Sequence, residues 1–301
     1  MTTHRFTPTQ YYNVLGTFPP ALTVESGDTV VTETIDANGW DKSDAKVKDG
    51  PNPMNGPIAV AGAEPGDSLK VEILGMMPIR ATGWTRAAIS ENVVDPAFVP
   101  QLPARDRVTW RIDHNARTVT LLDAPEAIAD LTLPLAPMIG CFGVAPALGQ
   151  AISTATSAEH GGNMDYRRLG PGATIWFPIA APGALFFLGD CHALQGDGEI
   201  VGTGIETCFE VTVRLTVENH SIVWPRGETA DDIFTIGNAR PLDQALQHAT
   251  TEMLRWLGER GLDVSEASHL LGPTVRYDIG NVYDPAYTVA CRLPKKWLPA
   301  V

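Results

Sequence analysis

The chain has 301 residues, of which 44% are hydrophobic and 19% charged, so it can bury the core of one large domain or two ordinary domains. A formal net charge of −13 argues against nucleic acid and anionic membrane surfaces as partners. The 28 glycines and 24 prolines favour a fold with many turns, and therefore a β-rich fold over a helical bundle. The four cysteines form no C-x-x-C pair, which predicts reduced thiols in a cytoplasmic protein. The longest apolar run, residues 175–188, is interrupted by prolines and a glycine, so no membrane span is expected.

In the first half of the chain, short apolar or alternating segments separated by turns predict strands. They cover residues 21–25, 29–35, 68–74, 108–112 and 118–122. Asp36 directly follows the second of these strands and stands at the mouth of a loop, residues 37–57, that shows no apolar period. Loops of this length in a compact domain are usually functional or disordered, so we expect a lid, a subunit contact or disorder. Residues 80–105 show little periodicity and are expected to be irregular.

A histidine followed by two glycines, His160-Gly161-Gly162, begins a stretch whose residues suggest chemistry. The glycines let the backbone turn sharply and present its N–H groups to a substrate oxygen, as an oxyanion hole does. Asn163 offers both a hydrogen-bond donor and an acceptor, and Asp165 joins His160 as a candidate ligand. The stretch therefore supplies one half of a candidate site.

The other half follows a fully apolar run at 184–188, which predicts a strand buried on both faces. Five polar residues come within the next positions: Asp190, His192, Gln195, Asp197 and Glu199. Asp190 and His192 are two apart, so on a continuing strand both side chains project from one face, where they could hold a metal ion or act as a carboxylate-oriented general base. Intervening glycines could fold the loop back so that Asp197 or Glu199 approaches the same spot. The alternative interpretation is a polar turn with a solvated acid cluster.

The last third of the chain predicts a long strand, two helices and two final strands. Residues 208–218 alternate between apolar and polar, and Glu206 just before them could point into the site. Helical spacing of apolar residues covers 241–258, and Asp263 with Glu266 predicts a capped second helix. The final strands are expected at 274–279 and 287–293. The sequence thus predicts one mostly β domain over residues 1–301, with a helical insertion at about 241–271.

Three segments together resemble the acetamidase/formamidase family. They are residues 140–146 (GCFGVAP), 160–165 (HGGNMD) and 189–199 (GDCHALQGDGE). The early strand with Glu33 and Asp36, the hairpin at 56–67 and Asp284-Pro285 match in the same order, so the resemblance spans nearly the whole chain. It implies hydrolysis of short aliphatic amides to a carboxylate and ammonia, a β-sandwich-like fold with added helices, a cytoplasmic location and a homo-oligomer.

The resemblance also makes a bound divalent metal plausible, with zinc as the expected ion and calcium as the alternative. Our hypothesis is that Asp36, Asp190 and His192 hold the ion, which activates a water molecule. Asp36 is included because of its position at a strand end and because of the resemblance. Glu199 or Asp165 then acts as general base and protonates the leaving amine. His160, Asn163 and the N–H groups of Gly161 and Gly162 bind the oxyanion.

Two other readings remain open. A thiol amidase would use Cys141 or Cys191 with a histidine, although free cysteines are usually buried packing residues. Cys191 should also point to the strand face opposite Asp190 and His192, which favours packing. The second reading is a β-sandwich binding module without catalysis, in which the acids hold a structural cation.

Overall fold

The computed structural model describes residues 1–299 and is built mostly of strands. In chain order the strands are β1 Thr3–Phe6, β2 Val14–Leu15, β3 Leu22–Val24, β4 Asp28–Glu33, β5 Asn55–Val60, β6 Ser68–Pro78, β7 Thr82–Arg86, β8 Arg107–Asp113, β9 Thr118–Leu121, β10 Thr132–Pro134, β11 Met138–Gly143, β12 Ile152–Ser153, β13 Ser157–Ala158, β14 Gly161–Asn163, β15 Thr174–Pro178, β16 Phe186–His192, β17 Phe209–Glu218, β18 Arg226–Glu228, β19 Asp232–Ala239, β20 Arg276–Ile279 and β21 Tyr287–Pro294. Short 3₁₀ helices cover Glu91–Val93, Val99–Gln101, Glu126–Ile128, Ala147–Gly149 and Lys295–Trp297.

The strands form two large sheets and two small ones. The nine-stranded sheet has the order β1-β4-β17-β6-β15-β18-β19-β21-β20, and the six-stranded sheet has the order β13-β14-β11-β16-β5-β3. A four-stranded sheet, β10-β9-β8-β7, and the pair β12-β2 complete the set. Most neighbours are antiparallel; β1 with β4 and β3 with β5 are parallel.

The main core lies between the two large sheets. Its buried side chains come from both, including Val71 and Val213 from the nine-stranded sheet and Leu188 from the six-stranded one. The rings of Phe142 on β11 and Phe177 on β15 meet edge to face across this layer, with centroids 5.3 Å apart. Two large sheets that pack against each other in this way form a β-sandwich. The predicted mostly β, sandwich-like fold with a late helical insertion is therefore confirmed.

The helical insertion consists of α1, Leu242–Glu259, and α2, Val264–Thr274. Both helices bury apolar side chains in a separate cluster against β19 and β21. The predicted capping box is present, because the Asp263 side chain accepts from the Glu266 N–H and the Glu266 side chain accepts from the Asp263 N–H. Neither helix combines the length and the apolar composition that a membrane crossing requires.

Two boundaries differ from the sequence prediction. Residues 80–105 are not irregular throughout, since β7 pairs with β8 over five residues from Thr82 to Arg86. A five-residue strand containing a glycine shows too little periodicity to be detected alone. The second helix also continues through Pro273 to Thr274, where a strand was predicted, and the Val275 N–H still donates to the Leu271 carbonyl at 2.9 Å.

Candidate functional site

The site lies where Glu206 connects the six-stranded and four-stranded sheets. Its N–H donates to the carbonyl of Trp84 on β7 at 2.9 Å, and the Trp84 N–H donates back to the Glu206 carbonyl at 3.1 Å. On its other side Glu206 forms an isolated antiparallel bridge with His192, the last residue of β16. This pairing brings the Glu206 side chain beside the polar end of the buried strand.

Two groups of buried side chains at this point could hold a metal ion. The first is Asp190, His192 and Glu206, and the second is Asp165, His192 and Glu199. In each group, one ligand atom per residue lies within 4.8 Å of the others. His192 belongs to both groups, so the four acids surround one imidazole. Carboxylates and an imidazole in this number are typical zinc ligands.

The orientation of His192 is fixed by Gln195. The Gln195 Nε2 donates to the carbonyls of Asp165 at 2.5 Å and Gly280 at 3.2 Å, so its Oε1 must be the atom that accepts from His192 Nδ1 at 2.8 Å. The Nδ1 atom therefore carries a proton, and Nε2 faces Glu206 Oε1 at 3.0 Å and Asp190 Oδ1 at 3.4 Å. A carboxamide that sets the tautomer in this way prepares the opposite nitrogen for a metal ion.

Burial dominates the electrostatics of the acids. It raises the pKa of Glu206 to about 8 and that of Asp284, which lies next to the site, to about 7. Burial, followed by repulsion from Asp190 in one case and Asp165 in the other, raises the pKa of Asp165 and of Glu199 well above the ordinary values. Burial alone would lower the pKa of His192, but Glu206 and Asp190 reverse this and raise it well above its ordinary value. Within the part of the chain that the structure describes, the His192 imidazole is thus the positive group that acts on these acids.

Two oxygens in the site have no hydrogen-bond partner among residues 1–299. They are Asp165 Oδ1 and Glu206 Oε2, one from each candidate ligand group, and both are buried. A buried, unpaired carboxylate oxygen is strongly unfavourable unless a cation or a proton satisfies it. The donor set and these two free oxygens therefore fit a divalent cation.

Three of the acids in the site have unusual backbone angles. Asp165, Asp190 and Glu199 have φ angles of +46°, +51° and +47°, in the left-handed region that non-glycine residues rarely occupy. Such strained residues concentrate at functional sites. Gly140 on β11 lies beneath two of them, because a Cβ atom there would stand 2.5 Å from Asp165 Oδ1 and 2.9 Å from Asp190 Oδ2.

Above the acids opens a cleft of about 870 Å³. Asp190, Glu199, Glu206 and Asp284 line it, whereas Asp165 and His192 lie beneath the lining. The loop predicted at 37–57 contributes to one wall through its first and last parts, including Asn38 and Asn52. Whether this loop acts as a lid or a subunit contact stays a prediction.

The stretch from His160 to Asn163 is only partly at the cleft. Asn163 lines it, donates to Asp284 Oδ2 at 2.5 Å and accepts from Asn52 Nδ2 at 2.8 Å. His160 is 2% exposed and absent from the lining, and burial lowers its pKa to about 4. It makes no side-chain hydrogen bond to any residue of the described range. A direct contact between His160 and substrate does not fit this position.

The predicted oxyanion role of Gly161 and Gly162 does not fit the geometry either. Both belong to β14, which is paired with β11 on one side and β13 on the other. Both have φ angles near +90°, and a Cβ atom would stand 2.6 Å from the Phe142 carbonyl at Gly161 and 2.5 Å from the Thr156 carbonyl at Gly162. The glycines are thus explained by close strand packing.

Asp36 is near the site but lies outside both ligand groups. Its Oδ1 accepts from the N–H groups of Asn38 and Trp40, and its Oδ2 accepts from Arg80 Nη2 at 3.0 Å and Trp84 Nε1 at 3.1 Å. Four donors therefore occupy this carboxylate. The strand-end argument placed Asp36 correctly near the cleft, but the carboxylate holds the Trp84 ring in place and has no free oxygen for an ion.

We expect Asp36→Asn to destabilise the fold by about 3 kcal/mol and to leave the metal content unchanged, because it breaks a buried ion pair with Arg80. Denaturant unfolding and elemental analysis of the purified protein measure the two effects. Asp44→Asn is the matched control: Asp44 binds the same arginine at 3.2 Å, but its carboxylate is 70% exposed, so the change should be about 1 kcal/mol or less. Loss of metal from a stably folded Asp36→Asn protein would restore Asp36 as a ligand.

The sequence analysis assigned no role in the site to three residues that the structure places there. Glu206 was noted only as able to point towards the site, Gln195 only as part of the polar cluster, and Asp284 only through the family resemblance. The glycine-rich approach to Glu206 gave a weak signal, because Gly204 packs against the His192 ring, where a Cβ would stand 2.4 Å from Cγ.

Comparison with known proteins shows to which protein family the chain belongs. The sequence model described as the Acetamidase/Formamidase family matches residues 13–152 and 147–295. The chain therefore belongs to the acetamidase/formamidase family.

Several individual proteins that are similar to this chain are named acetamidase or formamidase. The chain is similar to the acetamidase from Yersinia enterocolitica, with 32% identity and a TM-score of 0.85, over 99% of this chain and 93% of that one. It is similar to the acetamidase from Bacillus halodurans, with 29% identity and a TM-score of 0.84, over 99% and 100%. The acetamidase of Mycolicibacterium smegmatis is 27% identical over 81% of this chain and 69% of its own length. The chain spans 63% of a Schizosaccharomyces pombe relative and 47% of the formamidase of Methylophilus methylotrophus.

Proposed function

We propose that this protein hydrolyses the C–N bond of short-chain aliphatic amides, such as formamide and acetamide, to a carboxylate and ammonia. The observation that carries the proposal is the group of buried acids around His192 at the floor of an open cleft. The acetamidases and formamidase among the relatives support the choice of reaction.

A divalent cation fits the residues present, and we assign His192, Asp190 and Glu206 to hold it. His192 offers Nε2, and Glu206 has one carboxylate oxygen without a hydrogen bond. An imidazole with carboxylates favours zinc, whereas calcium prefers oxygen ligands alone. When bound, such an ion would polarise the amide carbonyl and lower the pKa of a water molecule.

Glu199 is the residue we assign to proton transfer. It lines the cleft, whereas Asp165, the other predicted base, is fully buried and does not. Burial and the Asp165 charge raise the pKa of Glu199, so its carboxyl can accept and release a proton closer to neutral pH than an ordinary glutamate. Glu199 thus takes the proton from the attacking water and returns it to the leaving nitrogen. Asp165 is itself held in place, because its backbone carbonyl accepts from Gln195 Nε2 and its Oδ2 accepts from Asn281 Nδ2.

A thiol nucleophile is not supported by the surroundings of the cysteines. All four are free and buried, and burial raises the pKa of each thiol. Cys191 packs in the main core and Cys141 in a second apolar cluster. A catalytic thiolate needs the opposite environment, with partial exposure and positive charge nearby.

The function is tested by assaying ammonia release from formamide and acetamide together with elemental analysis of the purified protein. We expect turnover that is lost on chelation and restored by zinc, and that survives a thiol alkylator under native conditions. Inactivation by the alkylator would favour the thiol mechanism. If calcium raised the Tm and no amide released ammonia, the protein would be a cation-binding module.

Cytoplasmic location and homo-oligomeric assembly remain part of the proposal. The free cysteines are consistent with a reducing compartment. The expectation of an oligomer rests on the family, and light scattering of the purified protein measures it.

A further inference from the structure

The rim of the cleft carries three arginines that form no ion pair with any residue from 1 to 299. They are Arg86 on β7, Arg105 just before β8 and Arg240 between β19 and α1. By contrast, the buried arginines Arg80 and Arg226 bind carboxylates. Within residues 1–299, no carboxylate oxygen comes within the 4.0 Å ion-pair distance of the three rim guanidinium groups. In a chain with a net charge of −13, three such groups around one opening need an explanation.

Arg105 is held in place by neutral groups. Its Nη2 donates to the Val201 carbonyl at 2.6 Å and its Nη1 to the Ala88 carbonyl at 3.2 Å. Its guanidinium carbon lies 5.2 Å from the ring centre of Tyr283, which also lines the cleft. Carbonyls and an aromatic face fix the orientation but leave the full positive charge uncompensated.

Arg86 also contacts a carbonyl and an aromatic ring, and Arg240 contacts an aromatic ring. Arg86 Nη1 donates to the Arg105 carbonyl at 3.4 Å, and its guanidinium carbon lies 5.6 Å from the Trp84 ring centre. The guanidinium carbon of Arg240 lies 4.9 Å from the ring centre of Tyr287. Each guanidinium has five N–H donors, and those left over match a carboxylate in a two-point contact.

The cleft is therefore polarised, with acids on its floor and guanidinium groups at its rim. A small neutral amide carries no charge with which to bind the rim guanidinium groups. The volume of about 870 Å³ is far larger than formamide needs, and it falls in the range of pockets for larger ligands. A molecule with an amide at one end and an anion at the other would use both parts.

We propose, on the basis of the amide hydrolysis proposed above, that the preferred substrate is a monoamide of a dicarboxylic acid, whose free carboxylate binds Arg105 and Arg86 with Arg240. Water adds to the amide carbon, the C–N bond breaks, and the nitrogen leaves as ammonia with the proton returned by Glu199. The products are a dicarboxylate and ammonium, and no oxidant or reductant is required.

The test compares succinamate with succinamide, which have nearly the same size and differ in one charge. We expect the wild-type kcat/KM for succinamate to exceed that for succinamide at least about tenfold, mainly through a lower KM, because a charge-assisted two-point contact is among the stronger hydrogen-bonding interactions. Arg105→Gln and Arg86→Gln should each lower this ratio severalfold, towards the value of about 1 that is expected when the charge is no longer recognised. Arg240 is exposed, so Arg240→Gln should fold normally and should reduce the succinamate-to-succinamide ratio less. It keeps the proposal testable if the other two variants misfold. Arg111→Gln, an exposed arginine of β8 outside the cleft, is the matched control and should leave the ratio unchanged.

Two outcomes separate the failure of this proposal from the failure of the amidase function. If formamide and succinamide are hydrolysed but succinamate is not preferred, the anionic substrate class is wrong and the amidase function stands. If no amide releases ammonia, calorimetry with succinamate and with succinamide tests the rim directly. Tighter binding of succinamate that Arg105→Gln abolishes would support the anion site, and equal binding of the two would overturn it.

Discussion

Glu199→Gln and His192→Ala should both lower kcat for amide hydrolysis by about 10²- to 10⁴-fold, but only His192→Ala should also empty the protein of its divalent ion. The glutamine keeps the size of Glu199 and removes its ability to carry a proton. Removing the imidazole takes away the one side chain that both candidate ligand groups share. Steady-state ammonia release and elemental analysis of each purified variant provide the two measurements.

Asp197→Asn is the control for this pair. Asp197 lies in the same loop as Glu199, but its carboxylate is half exposed and binds Arg167 at 2.5 Å, so both measurements should stay at wild-type values. Loss of the ion from Glu199→Gln would show that the second ligand group, with Asp165, holds it. Wild-type ion content and turnover in His192→Ala would refute the metal assignment as a whole.

Gly140→Ala should nearly inactivate the enzyme and lower its free energy of unfolding by about 1–3 kcal/mol, the range observed when a packed interior receives an extra group. The added Cβ would meet Asp165 Oδ1, the Asp190 carbonyl oxygen and Asp190 Oδ2 at 2.5, 2.8 and 2.9 Å, all within the site. Relief of these contacts must move the two acids, and a displacement of about 1 Å can reduce turnover about 100-fold. Turnover and denaturant unfolding are measured on the same preparation.

The matched control for Gly140 is Gly258→Ala in α1. Among residues 1–299, no atom beyond the surrounding helix backbone lies within 4 Å of the Cβ position there, and the helical backbone accepts alanine, so this variant should be about 0.5–1 kcal/mol more stable and fully active. An active and stable Gly140→Ala protein would mean that Asp165 and Asp190 tolerate displacement, and their proposed positions in the mechanism would then be wrong.

Features that depend on neighbours in sequence could be predicted well. Asp263 and Glu266 are three residues apart, and the capping box that they form needs nothing else. Asp190 and His192 are two apart on a strand, and the structure places the His192 Nε2 atom 3.4 Å from Asp190 Oδ1. The apolar run before them is fully buried in β16. In the first two cases the contact joins residues within three positions of each other, although Asp190 has a φ angle of +51° and departs from regular strand geometry.

Features that depend on which strands become neighbours could not be predicted in this way. The Asp36 carboxylate is occupied by Arg80 and Trp84, and Trp84 belongs to a strand that showed no period. Glu206 reaches the site only because its backbone bridges to both Trp84 and His192, a pairing between segments more than a hundred residues apart in one case. The strained backbone angles of Asp165 and Glu199 likewise cannot be predicted from the amino-acid sequence. Long-range pairing, rather than residue type, decided these positions.

The four-stranded sheet that Glu206 ties to the sandwich has a consequence for how such an enzyme can diverge. Among residues 1–299, every candidate ligand atom comes from outside that sheet, whereas Trp84 and Arg86 on its edge strand face the opening. Mutations in this appended sheet can therefore alter which molecules are admitted while the acids and His192 are inherited unchanged. The residues that would hold the ion and this part of the rim are thus contributed by different sheets, so substitutions at Trp84 and Arg86 can reshape the opening without altering the candidate ligands.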